Sequence, residues 1–368
     1  MKTVILTDAK YRSAISAARS FGKAGWQVVA VQTRGDTKVV PPVFSSCYLA
    51  GSRWIEGSVS DADYPDRLIA LLKEYERPVL FPAGAATLNL VSRARERFST
   101  YCAFLISAPE VLDAVNDKQA VHARALELGL PVPRQYGSTP ESYPVIVKPR
   151  CGEKFGLKAG DRYAFAHNEE EYARVMEGMR RYDPEPVVQE LVSGDGYGAS
   201  VLMDGDGELI GGFCHRRIRE YPITGGPSTC CESVWEPEKL EMAVRLLRSF
   251  GFVGLAMVEF KGPCILEVNP RVWGSFPLTT LAGSPIVLRY ARAAAGEKLA
   301  FEPCDYHTGK RMRFTLNDAL ATLSLLRHGQ FRRGFAGVAD LFRVQEALGD
   351  PKDPAPLLAY FKSVLLRK

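Results

Sequence analysis

The sequence predicts a mixed fold in which an α/β unit is followed by an α+β unit and then by a helical, basic extension. Strands alternate with helices in residues 1–115, hairpins dominate residues 116–300, and helical periodicity returns in residues 301–368. The chain has 368 residues, of which 46% are hydrophobic, so it has enough material for two or three units with buried cores.

In the first unit, strands alternate with helices, which is typical of a parallel sheet covered by helices. Strand-like TVILT and QVVAVQT enclose the helical SAISAARSFGKAG, and the helical YPDRLIALLKEY precedes the strand-like PVLFPAG. The first turn, TDAKYRSA, lacks the GxGxxG spacing that lets a backbone approach a pyrophosphate. Residues 1–115 are therefore predicted to form a Rossmann-like unit without its usual dinucleotide.

The second unit is predicted to begin near Asn116. The segment NDKQAVHARALELGLPVP reads as a helix with Asn116 or Asp117 as its cap and Gly129 as its terminator. Strands YPVIVKPR and EPVVQELV, helix NEEEYARVMEGMRRY, and two hairpins follow. The hairpins turn at GDG and at Gly262 with Pro263, which predicts antiparallel sheet rather than a second parallel one.

Charge and cysteine content exclude several classes of protein. The formal charge is +5, and residues 301–368 carry 11 Lys or Arg against 7 Asp or Glu, too little for a dedicated nucleic-acid binder. Eight cysteines without a CxxC pair favour reduced thiols and argue against a metal held by thiolates. MKTVILTDAKYR lacks the apolar core of a signal peptide, so a cytoplasmic location is expected.

The last unit is basic and amphipathic. LNDALATLSLLRHGQFRR and LLAYFKSVLLRK have the composition of helices that lie on a membrane surface. Docking of these helices on the body of the protein explains the same spacing and is the preferred interpretation.

The stretch CILEVNPRVWGSF carries the strongest chemical signal. Glu267, Asn269 and Arg271 alternate where a strand leaves the core, and Glu259 lies on the preceding strand of the same hairpin. Two carboxylates and an amide oxygen are suitable ligands for Mg²⁺, with Mn²⁺ as an alternative. Arg271 could bind an anionic oxygen with its guanidinium. A solvated hairpin face is the alternative, but the flanking VEF and ILEV are too apolar for it.

An ordered series of motifs resembles the ATP-grasp superfamily, closest to the carbamoyl-phosphate-synthase-like carboxylate-amine ligases. The series runs NDK with LGLPVP, VIVKPR, VVQELV, HRRIREYPITGGPST, VEF and LEVNPR, over about residues 1–300. The resemblance implies a two-part ATP-grasp fold at residues 116–300 and an ATP site. It implies phosphate contacts from Lys118 and Lys148, and adenine binding at the hinge formed by Glu190, Leu191 and Val192.

The resemblance also assigns roles to positions that match the family pattern less closely. Strand alternation places His215, Arg217 and Arg219 on one face, and the two arginines are predicted to stabilise the phosphoryl group during its transfer. Asp195 is a candidate for the ribose. The loop CGEKFG, expected to cover the phosphates, departs from the family pattern at Glu153 and Phe155.

The resemblance implies an ADP-forming C–N ligase that uses ATP and Mg²⁺. A small-molecule carboxylate would be phosphorylated to an acyl phosphate and then captured by an amine, such as an amino acid or peptide. Specificity for the acceptor would reside in TGGPST and in the turn around Asp8 and Arg12, and a homodimer is the expectation for the family. The alternatives are a bicarbonate-using carboxylase or carbamoyl-phosphate-type enzyme, and a nucleotide-binding regulatory protein without turnover.

Overall fold

The computed structural model describes residues 2–137, 139–151, 157 and 161–365, and the predicted mixture of α/β and α+β structure is confirmed in it. The described residues form three sheets, each with helices packed against it. The phosphate-covering loop predicted around Glu153 and Phe155 lies outside the described residues.

The strands of the first sheet are β1 (Thr3–Thr7), β2 (Gln27–Thr33), β3 (Gly51–Ile55) and β4 (Val79–Pro82). They are parallel, in the order β3-β2-β1-β4. Strands β1, β2 and β4 are almost fully buried, which explains their largely apolar sequences, whereas the edge strand β3 exposes Ser52 and Arg53. The helices of this region are α1 (Arg12–Lys23), α2 (Tyr64–Leu72), α3 (Ala85–Arg93), α4 (Arg95–Ser99) and α5 (Pro109–Asn116).

The second sheet is small, antiparallel and ordered β5-β8-β6-β7. Its strands are β5 (Gln135–Tyr136), β6 (Val145–Lys148), β7 (Ala164–Ala166) and β8 (Val187–Glu190). Helix α6 (Lys118–Glu127) precedes it, and α7 (Glu169–Arg180) packs on it. The N-terminus of α7 is stabilised by the side chain of Asn168, which accepts a hydrogen bond from the Glu171 amide.

The third sheet is ordered β13-β12-β9-β10-β11-β14-β15. Both predicted hairpins are confirmed within it, since β9 pairs antiparallel with β10 and β12 with β13. Its strands are β9 (Gly196–Met203), β10 (Leu209–Glu220), β11 (Ser228–Val234), β12 (Gly254–Lys261), β13 (Cys264–Asn269), β14 (Arg311–Arg313) and β15 (Gln345–Glu346). Its helices are α8 (Pro237–Ser249), α9 (Pro277–Leu281) and α10 (Ile286–Ala294).

The C-terminal segment, residues 301–368, corrects one expectation. Strands β14 and β15 extend the third sheet, so residues 301–368 are not helical throughout. Three residues are too short a strand to give a readable period, which is why β14 escaped prediction. Helices α11 (Thr315–Arg327), α12 (Phe331–Arg343) and α13 (Ala355–Leu365) make up the remainder.

A buried ion pair joins the two ends of the chain. The guanidinium of Arg19 on α1 lies 2.9 Å from the Asp353 carboxylate and also donates to the backbone oxygens of Leu348 and Asp353. The C-terminal segment is therefore packed on the first sheet's helix. Within the described residues, no helix is both long and apolar enough to cross a bilayer.

Candidate functional site

The core of the site is a pair of glutamates on the β12–β13 hairpin. Glu259 and Glu267 are directly opposite in the strand register, so their side chains lie on the same face. The tight turn between the strands uses Gly262 with φ at +54°, a conformation that favours glycine. Two carboxylates placed this way repel each other unless cations compensate them.

Three cationic side chains surround the two glutamates. The Lys118 ammonium lies 3.1 Å from the Glu267 carboxylate, and Arg217 forms an ion pair with Glu259. Burial alone would raise the pKa of Glu267. Lys118 and Lys148 outweigh that effect and lower the pKa to about 2, so Glu267 is ionised at neutral pH.

The two lysines share one carboxylate. Burial lowers the pKa of Lys148, and Glu267 opposes this while the neighbouring Lys118 adds to it. For Lys118, burial also acts against the charge, but contact with Glu267 raises the pKa above its usual range. A second anion beside the two lysines would favour their charged forms, so this corner favours a ligand such as phosphate.

The two lysines meet because a polar network joins α6 to the end of β6. The Asp117 carboxylate caps α6 and accepts a hydrogen bond from Arg150 Nε at 2.7 Å. The Lys118 amide donates to the Arg150 carbonyl oxygen, and the Arg150 amide donates to Asp183. This confirms Asp117 as the cap. The role of Arg150 escaped prediction because its partner is 33 residues away.

Asn269 and Arg271 continue the site beyond β13. Asn269 Nδ2 donates to Glu259 Oε1 at 3.1 Å, and Arg271 Nη2 lies 3.4 Å from Asn269 Oδ1. The extended conformation ends here, since the Arg271 amide donates to the Asn269 carbonyl oxygen. Arg271 also lines a small cleft with Pro82 at the end of β4 and Tyr290 on α10, so it faces the first sheet.

The donors present are compatible with a divalent cation. Carboxylate oxygens of Glu259 and Glu267 and the amide oxygen of Asn269 are hard ligands of the kind that Mg²⁺ and Mn²⁺ accept. No cluster of three or more His, Cys, Asp or Glu side chains with metal-binding spacing occurs in the described part of the chain. Two acids and one amide would leave coordination positions for phosphate and water, which is usual for Mg²⁺.

The structure corrects the expectation that Arg217 and Arg219 act together. Arg217 faces Cys231 on β11 and Arg219 faces the adjacent Cys230, which leaves Ile218 as a bulge. Since adjacent residues point to opposite faces, the bulge turns the two arginines apart. Only Arg217 reaches the glutamates.

Arg219 is instead enclosed by the C-terminal helices. It is 3% exposed, with Nε and Nη2 bonded to Asp318 on α11 and Nη1 to Asp340 on α12, each at 2.8 Å. All three guanidinium nitrogens are used by carboxylates, so Arg219 has a structural role and no free group for a phosphoryl oxygen.

The predicted adenine hinge lies at the end of β8. The Glu190 carboxylate accepts a hydrogen bond from the Arg134 amide at 2.8 Å, and Leu191 is exposed. Asp195 is exposed too, 3.8 Å from Arg216, and its carbonyl oxygen accepts from the Gly262 amide. This last bond holds the hinge segment, which includes Val192, against the turn of the glutamate hairpin.

The TGGPST segment lies beside the second sheet. A side chain on Gly226 would collide with the Tyr221 carbonyl oxygen, so glycine is required there for the loop to close. Thr224 Oγ1 lies 3.3 Å from the hydroxyl of Tyr163, which immediately precedes β7. Tyr163, which sequence reasoning missed, therefore joins this loop to the unit that carries Lys148.

His215 is buried beneath the site, and the sequence alone assigned it no role. Burial, with Arg217 nearby, lowers its pKa to about 3, so the ring is neutral at physiological pH. Its Nε2 lies 3.1 Å from the Ser275 hydroxyl, four residues after Arg271. The contact connects the strand carrying Arg217 with the loop that follows Arg271.

Asp8 provides a test of the electrostatics at the end of β1. It adopts φ at +56° and is buried, and burial raises its pKa from 3.8 to about 6 despite the nearby charge of Lys10 and a hydrogen bond from the Thr7 hydroxyl. Between those pH values the folded state binds a proton that the unfolded state has lost, so stability falls as pH rises.

Asp8→Asn should remove this dependence, because asparagine tolerates the same backbone conformation. Urea unfolding at pH 4 and pH 7 should show wild type losing about 2 kcal/mol relative to Asp8→Asn over that interval. Asp113→Asn on the exposed side of α5 is the matched control, with pH dependence like that of wild type. Parallel curves for wild type and Asp8→Asn would contradict the assignment.

Comparisons with known proteins are consistent with this geometry. The family model described as an ATP-grasp domain matches residues 115–275. The carbamoyl phosphate synthase large chain of Rubrobacter xylanophilus is 27% identical over 257 residues, which are 61% of this chain and 23% of that protein. The corresponding chain of Methanosarcina mazei is 25% identical over 262 residues, again 61% and 23%. This chain thus spans about a quarter of the length of these relatives.

Solved structures resemble the fold. The biotin carboxylase domain of Hydrogenobacter thermophilus 2-oxoglutarate carboxylase, solved as a dimer with MgADP, ADP and bicarbonate, aligns with a TM-score of 0.63 at 17% identity. The alignment covers 84% of this chain and 73% of that one. Biotin carboxylase from Campylobacter jejuni, in a β,γ-ATP complex, gives 0.63 at 16% identity, covering 84% and 74%.

Proposed function

Residues 115–275 are an ATP-grasp domain, and from this premise we propose that the protein is an ADP-forming ligase. It would use ATP to phosphorylate a carboxylate and would transfer the resulting acyl group to an amine. The observation that carries the proposal is the compensated glutamate pair, Glu259 and Glu267, with Lys118, Lys148 and Arg217 around it.

The lysines and the hinge are the proposed binding groups for ATP. Lys118 and Lys148 share a single carboxylate, which leaves positive charge for the phosphates. Backbone groups of Glu190, Leu191 and Val192 would hold the adenine, and Asp195 would hold the ribose. The contact between the hinge segment and the hairpin turn would fix the distance between the base and the phosphates.

Glu259, Glu267 and Asn269 are the proposed ligands of a magnesium ion. When bound, Mg²⁺ would neutralise charge on the phosphate oxygens and hold them in line for transfer. The ionised state of Glu267 at neutral pH supports this role, because a protonated carboxyl group cannot serve as a ligand of this kind. Binding of a cation there would also release Lys118 from its contact with Glu267, making that ammonium available to phosphate.

Arg217 and Arg271 are proposed to act on the reacting groups. Arg217 Nε is buried with no hydrogen-bond partner among the described residues, so it offers an unused donor for an oxygen of the transferred phosphoryl group. Arg271, next to Asn269, would bind the carboxylate substrate with its planar guanidinium. Phosphoryl transfer needs positioning and charge neutralisation more than a covalent nucleophile, so none is assigned.

Bicarbonate is the second candidate for the acid. Its support comes from the similarity to carbamoyl phosphate synthase large chains and from the bicarbonate-bound carboxylase domain with the same fold. Carboxyphosphate would then replace the organic acyl phosphate. The proposed roles of Lys118, Lys148, Glu259 and Glu267 would be unchanged.

The test is to trap the activated acid. Panels of carboxylic acids and of amines are incubated with the protein, ATP and Mg²⁺, and ADP is measured. We expect one class of acid to stimulate ADP release, and hydroxylamine added in place of the amine to yield the hydroxamate of that acid. Carbon-13 bicarbonate, followed by NMR, distinguishes bicarbonate from an organic acid.

Two outcomes would argue against the proposed ligase. ADP release that no carboxylate or bicarbonate stimulates would indicate simple ATP hydrolysis. Tight ATP binding without ADP formation across the whole panel would favour the nucleotide-binding regulatory alternative.

A further inference from the structure

The hairpin formed by α11 and α12 leaves most of its large apolar side chains exposed. Its inner side buries Asp318 and Thr322 on α11 and Asp340 on α12, beside the apolar Ala321 and Leu325. Gly334 and Gly337 let α12 approach α11 closely, since a side chain at either glycine would collide with Leu326 or Thr322. The polar side chains therefore hold the hairpin on the body of the protein.

Large apolar side chains instead lie on the outer side. In α11 they recur at spacings of four and three, and in α12 at four, three and four, so each set forms one stripe along its helix. Phe335 is 65% exposed and Phe342 is 88% exposed. The full set is Leu316, Leu320, Leu323, Phe331, Phe335, Val338 and Phe342, which we call the outer face.

The charge around the outer face has one sign. Between residues 315 and 343 both acidic residues, Asp318 and Asp340, are buried and paired with Arg219. The exposed charged side chains of the hairpin are all arginines. Arg327, Arg332 and Arg343 are three of them, and the fourth, Arg333, lies beside Glu220 of β10. An exposed apolar stripe of this size normally marks a binding surface, and here the surface would attract an anionic partner.

We propose that the outer face docks on an anionic membrane surface, with α11 and α12 lying in the plane of the headgroups. Phenylalanine and leucine would enter the acyl boundary while the flanking arginines contact lipid phosphates, as in interfacial amphipathic helices. A second copy of the chain fits less well. An isologous contact brings each patch against itself, so the exposed arginines of one copy would meet those of the other.

The polar inner side makes the proposal specific to this hairpin. Helices that dock on a protein core usually bury their apolar side chains, but α11 and α12 are anchored by Arg219 and Arg311 through carboxylates. The hairpin thus reaches a fixed position on the body without using its apolar stripes. Both stripes remain available to a lipid surface.

Flotation of the intact protein with vesicles tests the proposal. Vesicles of phosphatidylcholine alone are compared with vesicles containing phosphatidylglycerol, at low and at high salt. We expect binding to the anionic vesicles that weakens as salt rises. No binding to anionic vesicles, or equal binding to both kinds at both salt concentrations, would overturn the proposal.

Variants assign the binding to the outer face. Phe335→Glu/Phe342→Glu should lower the partition coefficient roughly 100-fold or more, because two phenylalanines no longer enter the acyl boundary. Val40→Glu, at another highly exposed apolar position, is the matched control and should bind like wild type. Circular dichroism checks that the folds agree.

Neutralising two arginines tests the electrostatic part separately. Arg332→Gln/Arg343→Gln should weaken binding to anionic vesicles about 25-fold, at about fivefold for each arginine. Arg53→Gln, at an exposed arginine on β3, should leave it unchanged. If instead wild type is a dimer that Phe335→Glu/Phe342→Glu dissociates, and neither form binds vesicles, the outer face is an interface between copies and the membrane proposal fails.

Discussion

Glu267→Gln is expected to reduce ADP formation about 10³-fold at saturating ATP, which is the scale of losing one preorganised electrostatic contact in a phosphoryl-transfer site. The substitution preserves the size of the side chain and removes the carboxylate that forms an ion pair with Lys118. It also removes the negative charge that opposes the loss of the Lys148 proton. The proposed magnesium site would lose one of its two carboxylates as well.

Titration of the magnesium concentration separates these effects. If Glu267 is a metal ligand, Glu267→Gln should need a higher concentration of Mg²⁺ for its residual rate. Binding of ADP without Mg²⁺ should change much less, because the hinge around Glu190 is untouched. Glu208→Gln, an exposed glutamate in the β9–β10 connection, is the control and should have wild-type activity. Wild-type rates for Glu267→Gln at saturating Mg²⁺ would refute the proposed site.

The local part of this site could be predicted from sequence. The alternation of Glu267, Asn269 and Arg271, and a turn containing Gly262, are local signals, and they identify the hairpin and one of its faces. The pairing of Glu259 with Glu267 does not follow from the turn alone, because the register of the hairpin shifts by one residue between Glu259 and Phe260. The sequence therefore identifies the hairpin and its polar residues, but the exact partner of Glu259 depends on this irregularity.

The rest depends on contacts between distant residues. Lys118 reaches Glu267 because Asp117 pairs with Arg150 across 33 residues, and no periodicity encodes such a pairing. The bulge at Ile218 leaves no pattern in the sequence either, because it arises from the pairing of β10 with β11. Strand alternation alone therefore assigned Arg219 to the wrong face.

Arg219→Ala is accordingly expected to lower the free energy of unfolding by about 3–5 kcal/mol, because two buried carboxylates lose their shared counter-charge. Asp318 would retain the hydroxyl donor of Thr229 but no cation among the described residues, whereas Asp340 would keep Arg311 at 2.9 Å. Urea denaturation measures the change. At temperatures where the variant is folded, its ADP formation should stay within a few-fold of wild type.

Two further variants distinguish this structural role from a catalytic one. Adding Asp318→Asn to Arg219→Ala should recover part of the lost stability, since the double variant no longer buries that uncompensated charge. Arg217→Gln should show the opposite behaviour, with ADP formation reduced about 10²-fold or more and a smaller loss of stability. The smaller loss is expected because Arg217 and Glu259 are more accessible to water than Arg219 and Asp318 are. An Arg219→Ala protein that is as stable as wild type but inactive would return Arg219 to the catalytic face, and the bulge at Ile218 would then have to open during the reaction.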